Sequence, residues 1–258
     1  MFRRSSASGV NFPDILSCQP DTIEGHGILT GFGSGAGKAY TRFQTIYETL
    51  RERICLLDFA PGHRLREDDL AEEFQVSRTP MRRVIARLES EGLVQSIQSV
   101  GTFVTEIDFD TLRQIYELRA ELAILLGQDI EPAVQAEVRD EITRILATAE
   151  RESASIGTRD FARLNRDAFQ ALLRLNRNEV ANNIAEALYN QSARVWIHSI
   201  PEIGLAREVE LFRQEISEVL RALEHGDIRS VSLVRAAHIR QSWQRIVALS
   251  REGHIPDG

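Results

Sequence analysis

The chain has 258 residues, 43% of them hydrophobic, which is enough for two domains of ordinary size with real cores. Its formal net charge of −7 excludes general attraction to nucleic acid, so any DNA contact must come from a local basic patch. The two cysteines, Cys18 and Cys55, form no disulfide or metal-binding pattern, and no apolar run reaches the ~20 residues of a membrane span. We therefore expect a cytoplasmic protein.

Residues 1–38 are predicted to be a flexible extension, because they are rich in glycine and serine and contain two prolines. The segment Gly31–Lys38 contains a GK pair, but Phe32 stands where a phosphate-binding loop requires glycine, which favours a linker. A first helix is predicted over Tyr40–Leu57, where apolar residues recur every three or four positions.

A helix-turn-helix is predicted between Leu65 and Gly92. The buried face of its short first helix holds Leu70, Ala71 and Phe74. Ser77 is expected to cap the second helix through its side-chain oxygen, and Gly92 to end that helix in a left-handed conformation. The second helix buries Met81, Val84, Ile85 and Leu88.

The opposite face of the second helix carries Arg78, Thr79, Arg82, Arg83 and Arg87, with no acid before Glu89. Arginine can hold a guanine edge or a phosphate with two hydrogen bonds, and a recognition helix presents its first residues to the major groove. This face, with Ser77 at its start, therefore predicts DNA binding. The alternative is an ordinary solvated, charged helix face.

Two short strands are predicted at residues 93–97 and 102–105, with Gly101 near the turn between them. A helix, a helix-turn-helix and a β-hairpin make a winged helix, which we place at residues 39–106. The predicted wing lacks basic residues, so we expect weak contacts to phosphate or minor groove through backbone N–H groups, Gln98 and Gly101.

Residues 107–258 are predicted to be helical throughout, in an antiparallel bundle with short connections. The fold class is therefore mainly α, an N-terminal winged helix followed by an all-α bundle. The helices are predicted at about 109–128, 133–150, 158–177, 179–198, 206–225 and 228–250. The predicted interior contains Ile115, Leu118, Leu122, Leu172, Leu175, Val219 and Leu223.

The stretch PGHRLREDDLAEEFQVSRTPMRRVIARLESEGLV resembles the DNA-binding domain of GntR-type bacterial transcriptional regulators, over roughly residues 42–106. One departure is Arg83, which stands where the family usually has glutamate and strengthens attraction to phosphate. The segments DFDTLRQIYELRAEL and ALEHGDIRSVSLVRAAHI resemble the FadR branch of that family, whose C-terminal bundle is called FCD. The resemblance implies a homodimer, a palindromic operator, and a bundle that binds a small metabolite.

Many bundles of this branch bind a divalent metal through one aspartate and three histidines. Aligned on the resemblance, this chain has Asn165, Phe169 and Ile216 at three of these positions and keeps only His238. A shift of one residue would place Arg166 and Gln170 there instead, which is no better for metal. We therefore expect no metal cofactor. His238 is either a remnant of the site or an ordinary core histidine.

The resemblance implies that Arg119 points into the bundle cavity and meets an effector carboxylate, for which a guanidinium is a planar two-point match. The alternative is a salt bridge with Glu121 or another acid. The candidate effector site consists of Arg119, Asn165, Phe169, Ile216 and His238. With no metal charge, the effector should have an apolar part or be smaller than the usual hydroxy acids.

The predicted function is a DNA-binding transcriptional regulator whose operator affinity depends on a small metabolite. We expect this metabolite to be a carboxylate. Two other classes stay open. One is a DNA-binding protein that responds to no effector. The other is a helical-bundle enzyme, although the sequence offers no catalytic pair with a plausible geometry.

Overall fold

The structure is a computed structural model, which describes residues 35–251, with side chains for residues 40–250. The helices are α1 (Gly35–Cys55), α2 (Glu67–Glu73), α3 (Arg78–Ser90), α4 (Phe109–Leu126), α5 (Gln135–Arg151), α6 (Thr158–Leu173), α7 (Glu179–Ile203), α8 (Leu205–Glu224) and α9 (Ile228–Arg251). The strands are β1 (Arg64–Leu65), β2 (Val94–Ile97) and β3 (Gly101–Val104). The predicted fold class, a winged helix followed by an all-helical part, is confirmed. Most of the predicted N-terminal extension, with Cys18, lies outside the described residues.

The winged-helix sheet has three strands in the order β1-β3-β2. The predicted hairpin is present, with Val94 opposite Val104 and Ile97 opposite Gly101. The sequence analysis missed β1, which pairs Arg64 and Leu65 with the far side of β3. Two residues are too few to show the alternation by which a strand is recognised.

The turn between α2 and α3 is held by backbone geometry and by one side chain of α1. Gln75 takes a positive φ of 52°, and Arg42 donates to the carbonyl oxygens of Phe74 (2.9 Å) and Gln75 (2.5 Å). Ser77 has the extended backbone of an N-cap, but the predicted side-chain hydrogen bond is wrong, because its hydroxyl meets no N–H of α3. Gly92 follows the end of α3 with φ 72°, as predicted.

The winged helix has its own hydrophobic core. α1 contributes Ile46, Tyr47, Leu50 and Ile54, and α3 contributes Met81, Val84, Ile85 and Leu88. Tyr47 is buried, and its hydroxyl donates to the Glu91 carboxylate at 2.6 Å. Burial raises the pKa of Tyr47, so this donor keeps its proton at any ordinary pH.

The six helices α4 to α9 pack around a second core that includes Tyr116, Phe161, Trp196, Phe212 and Ile246. Gly226, with φ 67°, ends α8, and Asp227 caps α9 by accepting from the Ser230 N–H at 3.0 Å. None of the helices among the described residues is long and apolar enough to span a membrane.

Two details of the predicted bundle are corrected. Leu118 is 47% exposed, because the neighbouring positions Tyr116 and Leu122 form the inward stripe of α4. The helix predicted from about residue 133 begins slightly later: a short 3-10 turn covers Pro132–Val134, and α5 follows from Gln135.

Arg194 on α7 joins the bundle to the winged helix. Its side chain is 1% exposed, and its Nη2 donates to Thr105 Oγ1, just after β3, at 2.6 Å. Its Nη1 is buried without a hydrogen-bond partner, and no described acid pairs with it. Burial therefore lowers the pKa of Arg194 to about 10. A buried cation with so little compensation weakens the fold at this junction.

We expect Arg194→Met to leave the free energy of unfolding within about 1 kcal/mol of the wild type, or to raise it, since methionine keeps the volume and removes the charge. Chemical denaturation measures this. Arg194→Ala, which opens a cavity, should lose about 2 kcal/mol or more. The exposed Arg207 provides a matched control, because Arg207→Met should change stability by less than about 0.5 kcal/mol. A large loss in Arg194→Met would mean that the charge itself stabilises the junction.

Candidate DNA-binding surface and bundle cavity

The N-terminal half of α3 presents a basic surface to solvent. The side chains of Arg78 and Arg82 are 67% and 68% exposed, and Thr79 is exposed between them. The packed core under α3 fixes the helix, so these side chains project from a rigid support. The free N–H groups at the start of α3 and the Ser77 hydroxyl lie at the same end, where a helix attracts phosphate.

Both arginines hold acids of α2. Arg78 Nε lies 2.6 Å from Asp68 and Arg82 Nε lies 3.0 Å from Glu67. Exposed pairs of this kind contribute only about 0–1 kcal/mol, because water screens both charges. A DNA phosphate or a guanine edge can therefore replace the carboxylates at small cost.

Two further arginines of the predicted face are less free. Arg83 lies over the Phe43 ring, 5.5 Å from its centre. Arg87 lies 3.7 Å from the centre of the Tyr47 ring and donates to Gln44 at 3.0 Å. The Arg87 contacts hold α1 against α3.

The wing is more basic than its own sequence indicates. Arg64 on β1 donates to the Val100 carbonyl oxygen at 2.7 Å, which places a guanidinium beside the wing tip. Gly101 allows this approach, because a Cβ at this position would lie 2.8 Å from Arg64 Nε. Gly101 also has φ 141°, which side-chain-bearing residues rarely adopt. Gln98 is exposed at the same tip.

The bundle encloses a cavity, here called the polar cavity, with about 580 Å³ of empty space including its mouth. α4, α6, α7, α8 and α9 all contribute to its wall. The polar and aromatic residues that line it are Tyr116, Arg119, Asn165, Tyr189, Trp196, Glu208, Glu215, Arg235, His238, Ser242 and Arg245. A partly closed space with convergent polar groups is typical of a small-molecule site.

Two acids in the polar cavity are already paired. Glu208 accepts from Arg245 Nε at 2.6 Å and from Trp196 Nε1 at 2.8 Å. Glu215 forms an ion pair with Arg235. These pairs cancel the charges of four side chains, which leaves the third arginine of the wall, Arg119, as the unmatched charge.

Arg119 has neutral partners only among the described residues. Its Nη1 donates to Ser192 Oγ at 2.9 Å, and its guanidinium lies over the rings of Tyr116 (5.2 Å) and Tyr189 (5.3 Å). Burial lowers the pKa of Arg119. The alternative of a salt bridge with Glu121 is wrong, since Glu121 pairs with Arg240 at 2.7 Å.

The structure brings together only part of the predicted effector site. Arg119, Asn165 and His238 line the polar cavity, where Asn165 Oδ1 accepts from the Tyr189 hydroxyl at 3.1 Å. Phe169 stacks on the Tyr189 ring, with ring centres 4.2 Å apart, and lines a neighbouring cavity. Ile216 lines neither cavity: it is fully buried in the bundle core, and its neighbour Glu215 faces the polar cavity instead.

These residues do not fit the metal that the resemblance implies. The described residues contain no group of three histidine, cysteine or acidic side chains placed to hold an ion. His238 has its ring nitrogens 3.8 Å from Glu215 and 3.7 Å from Glu218, while Glu215 is taken by Arg235. A neutral amide at position 165 and a phenyl ring at position 169 supply no anionic or imidazole ligand.

Residues 42–104 match the family model for bacterial regulatory proteins of the gntR family. This part of the chain is therefore similar to the gntR family of bacterial regulatory proteins. The match spans the winged helix from α1 to the end of β3, and so includes the basic surface described above.

The similarity to known proteins extends well beyond the winged helix. An HTH-type regulator from an unstable DNA locus of Streptomyces ambofaciens is 29% identical over 84% of this chain and 89% of its own length. The repressor RspR of Escherichia coli is 24% identical over 81% of this chain and 90% of its own. Both relatives are named as transcriptional regulators.

Solved structures share the fold. Escherichia coli McbR/YncC superposes with a TM-score of 0.65 at 20% identity, over 82% of this chain and 98% of that one. A GntR-type regulator from Rhodococcus sp. RHA1 gives a TM-score of 0.64 at 20% identity, over 81% and 98%. Both comparisons include the winged helix and the helical bundle.

Sequence reasoning missed the second half of the polar cavity. α9 contributes Arg235, His238, Ser242 and Arg245, at intervals of three and four residues that place them on one helix face. The spacing of these residues around His238 in the sequence would have been enough to predict this polar face of α9. The partners Glu208 and Glu215 come from α8, and only the fold pairs them with α9.

We expect Arg82→Ala to cost ~1–3 kcal/mol in binding to a DNA site that the wild-type protein selects from a random library, if the side chain makes a two-point contact to a base. Arg78→Ala should have a similar effect. Gel-shift titrations against the selected site and against single-base variants of it would show relaxed specificity at the contacted position.

Arg64→Ala provides the contrast, because a phosphate contact carries no sequence information. It should weaken binding to all sequences alike and reduce the slope of affinity against salt concentration by about one counterion. Arg144→Ala, an exposed change on α5 of the bundle, serves as the control. Unchanged affinity in both Arg78→Ala and Arg82→Ala would remove α3 as the recognition helix.

Proposed function

We propose that this protein is a DNA-binding transcriptional regulator of the GntR family and a metabolite sensor of its FadR branch, with an FCD-type bundle whose polar cavity binds a small carboxylate. It acts in the cytoplasm as a homodimer on a palindromic operator, and the bound effector changes operator affinity. The observation that carries the proposal is Arg119, a buried cation in a polar cavity with no acid partner among the described residues.

The charge balance of the polar cavity favours an anionic effector. Arg119, Arg235 and Arg245 face Glu208 and Glu215, which leaves one positive charge in the wall. Burying a charge without a counter-charge is costly, and a bound carboxylate would remove that cost. A guanidinium offers the carboxylate two parallel hydrogen bonds, and Asn165 and His238 can add neutral ones.

The same cavity supports a sensor that works without metal. The residues present do not provide the family's ligand set, and Arg119 already supplies the positive charge that a cation would otherwise give to a carboxylate effector. Asn165 is engaged by Tyr189 and Phe169 is stacked on that ring. We therefore propose that no cofactor takes part.

α7 provides a direct path from the cavity to DNA. Tyr189 and Ser192 face Arg119, whereas Gln191 donates to the Glu91 carbonyl oxygen at 2.8 Å, at the end of α3. Arg194, one turn further, holds Thr105 after the wing. A ligand that draws Arg119 away from Ser192 and Tyr189 would move a helix to which both the recognition helix and the wing are attached.

The homodimer is supported by exposed apolar side chains on the bundle. Leu118 and Leu125 lie seven residues apart on one face of α4, and Val180 and Ile184 lie four apart on α7, which packs against α4. One winged helix covers too little DNA for useful specificity, whereas a symmetric dimer doubles the contacts.

Light scattering of the purified protein should therefore give about twice the chain mass of 29.1 kDa. The measurement is made with and without DNA at micromolar concentration. A monomer under both conditions would contradict the dimer and with it the two-fold operator.

We expect small carboxylates to raise the melting temperature of the wild-type protein and Arg119→Ala to abolish this rise, because the charge match is lost. Arg119→Lys should restore it partly, since lysine keeps the charge but not the two-point geometry. A thermal-shift screen over carboxylates, with their amides as neutral controls, measures both.

The control variant is Arg240→Ala, which removes an exposed arginine paired with Glu121 and should leave the response intact. Elemental analysis of protein purified without chelator should find no stoichiometric zinc, nickel or manganese. About one metal per chain, lost in His238→Ala, would show a metal centre. A full response in Arg119→Ala would move the charge-matching role to another residue, and no response to any metabolite would favour a regulator without an effector.

A further inference from the structure

A second cavity lies directly behind Arg119. It has about 590 Å³ of empty space including its mouth, and it lies between α4, α6, α7 and α9. Apolar side chains dominate its wall, among them Ala123, Leu126, Phe169, Leu172, Leu173 and Val231. It is here called the apolar cavity.

The two cavities meet at three shared residues, Arg119, Arg235 and Ile239. The stacked rings of Tyr189 and Phe169 continue this boundary, with Tyr189 in the wall of the polar cavity and Phe169 in that of the apolar cavity. Arg235 is neutralised by Glu215. The unpaired charge of Arg119 therefore stands where a polar compartment and an apolar compartment join.

We propose that the two cavities together bind one amphipathic monocarboxylate, with its carboxylate on Arg119 in the polar cavity and its apolar tail in the apolar cavity. The proposal rests on the proposed function and names the class of effector. Because the cavity wall carries one unpaired positive charge, the effector needs one carboxylate to match it.

The apolar cavity also restricts the tail. Besides the two shared arginines, Ser232 is the one polar side chain among the described residues that line the apolar cavity. Its hydroxyl already donates to the Arg229 carbonyl oxygen at 2.7 Å. A hydroxylated tail would lose its hydrogen bonds to water there and gain few in return, which is unfavourable. A straight alkyl or aryl tail carries no such cost, and each buried methylene contributes to affinity.

A chain-length series of straight-chain acids, from butanoate to decanoate and below micelle-forming concentrations, tests the proposal by calorimetric titration of the full-length protein. Affinity should rise roughly fourfold per added methylene until the apolar cavity is full. Octanol, which keeps the tail and lacks the charge, and gluconate, which keeps the charge and has a hydroxylated tail, should both bind much more weakly than octanoate.

Ala123→Leu is the matching variant, because it adds bulk to the wall of the apolar cavity and leaves Arg119 in place. It should lower the affinity for octanoate by about tenfold or more, at roughly fourfold per displaced methylene, and leave butanoate unchanged. Ala222→Leu, at a similarly half-buried alanine of α8 outside both cavities, is the control and should change neither.

The outcomes separate this inference from the proposed function. Equal affinity for butanoate and decanoate, or equal binding of octanol and octanoate, would overturn the two-compartment site and leave the carboxylate role of Arg119 standing. Failure of every straight-chain acid to bind the wild-type protein would likewise overturn this inference, whereas undiminished binding in Arg119→Ala would contradict the proposed function itself. The chain-length series on the wild type decides the question even if Ala123→Leu does not fold.

Discussion

The position of α7 is the constraint on which the rest of the structure depends. This helix is buried on most of its surface, because one side completes the bundle and the other receives the winged helix. Glu186 holds Arg51 of α1 at 2.6 Å, Gln191 reaches the end of α3, and Arg194 reaches the residue after the wing. α1, the end of α3 and the residue after the wing thus all contact one helix, whose remaining face lines the polar cavity.

The charges of the protein are distributed in a way that its net charge of −7 does not reveal. Most arginines among the described residues form an ion pair with a nearby acid, as Arg51, Arg78 and Arg113 do. Arg119 and Arg194 are the conspicuous exceptions among the described residues, and both are buried on or against α7. Natural proteins tolerate the cost of a buried, unpaired charge mainly at functional sites. Here Arg119 borders the polar cavity, and Arg194 lies at the junction with the DNA-binding domain.

The fold could be predicted from the sequence to the extent that it depends on local patterns. Helical periodicity predicted α1 to α9, and Gly92 marked the end of α3 because few other residues adopt its geometry. Periodicity failed at Leu118, because α4 carries apolar residues on more than one face and only packing selects the inner one. It failed again at β1, which is too short to show a pattern.

The candidate site was predictable only in part, for the same physical reason. Arg119 and His238 lie on helix faces that a resemblance could align. Ile216 was displaced from the cavity by its neighbour Glu215, a 100° step around α8, because Glu215 finds Arg235 on α9. Contacts between helices distant in sequence decide which of two adjacent residues faces the ligand, and no local spacing contains that information.

The acids of α2 have a consequence for how the protein finds its operator among other DNA. Arg78 and Arg82 reach solvent already neutralised by Asp68 and Glu67, so contact with an arbitrary backbone exchanges one carboxylate for one phosphate and gains little. Fewer ions are released into solution than the number of arginines would suggest, since each arginine brings its own counter-charge. The affinity for non-specific DNA is therefore low relative to that for a site where the same side chains contact guanine edges. The protein accordingly spends less time bound to non-specific sites.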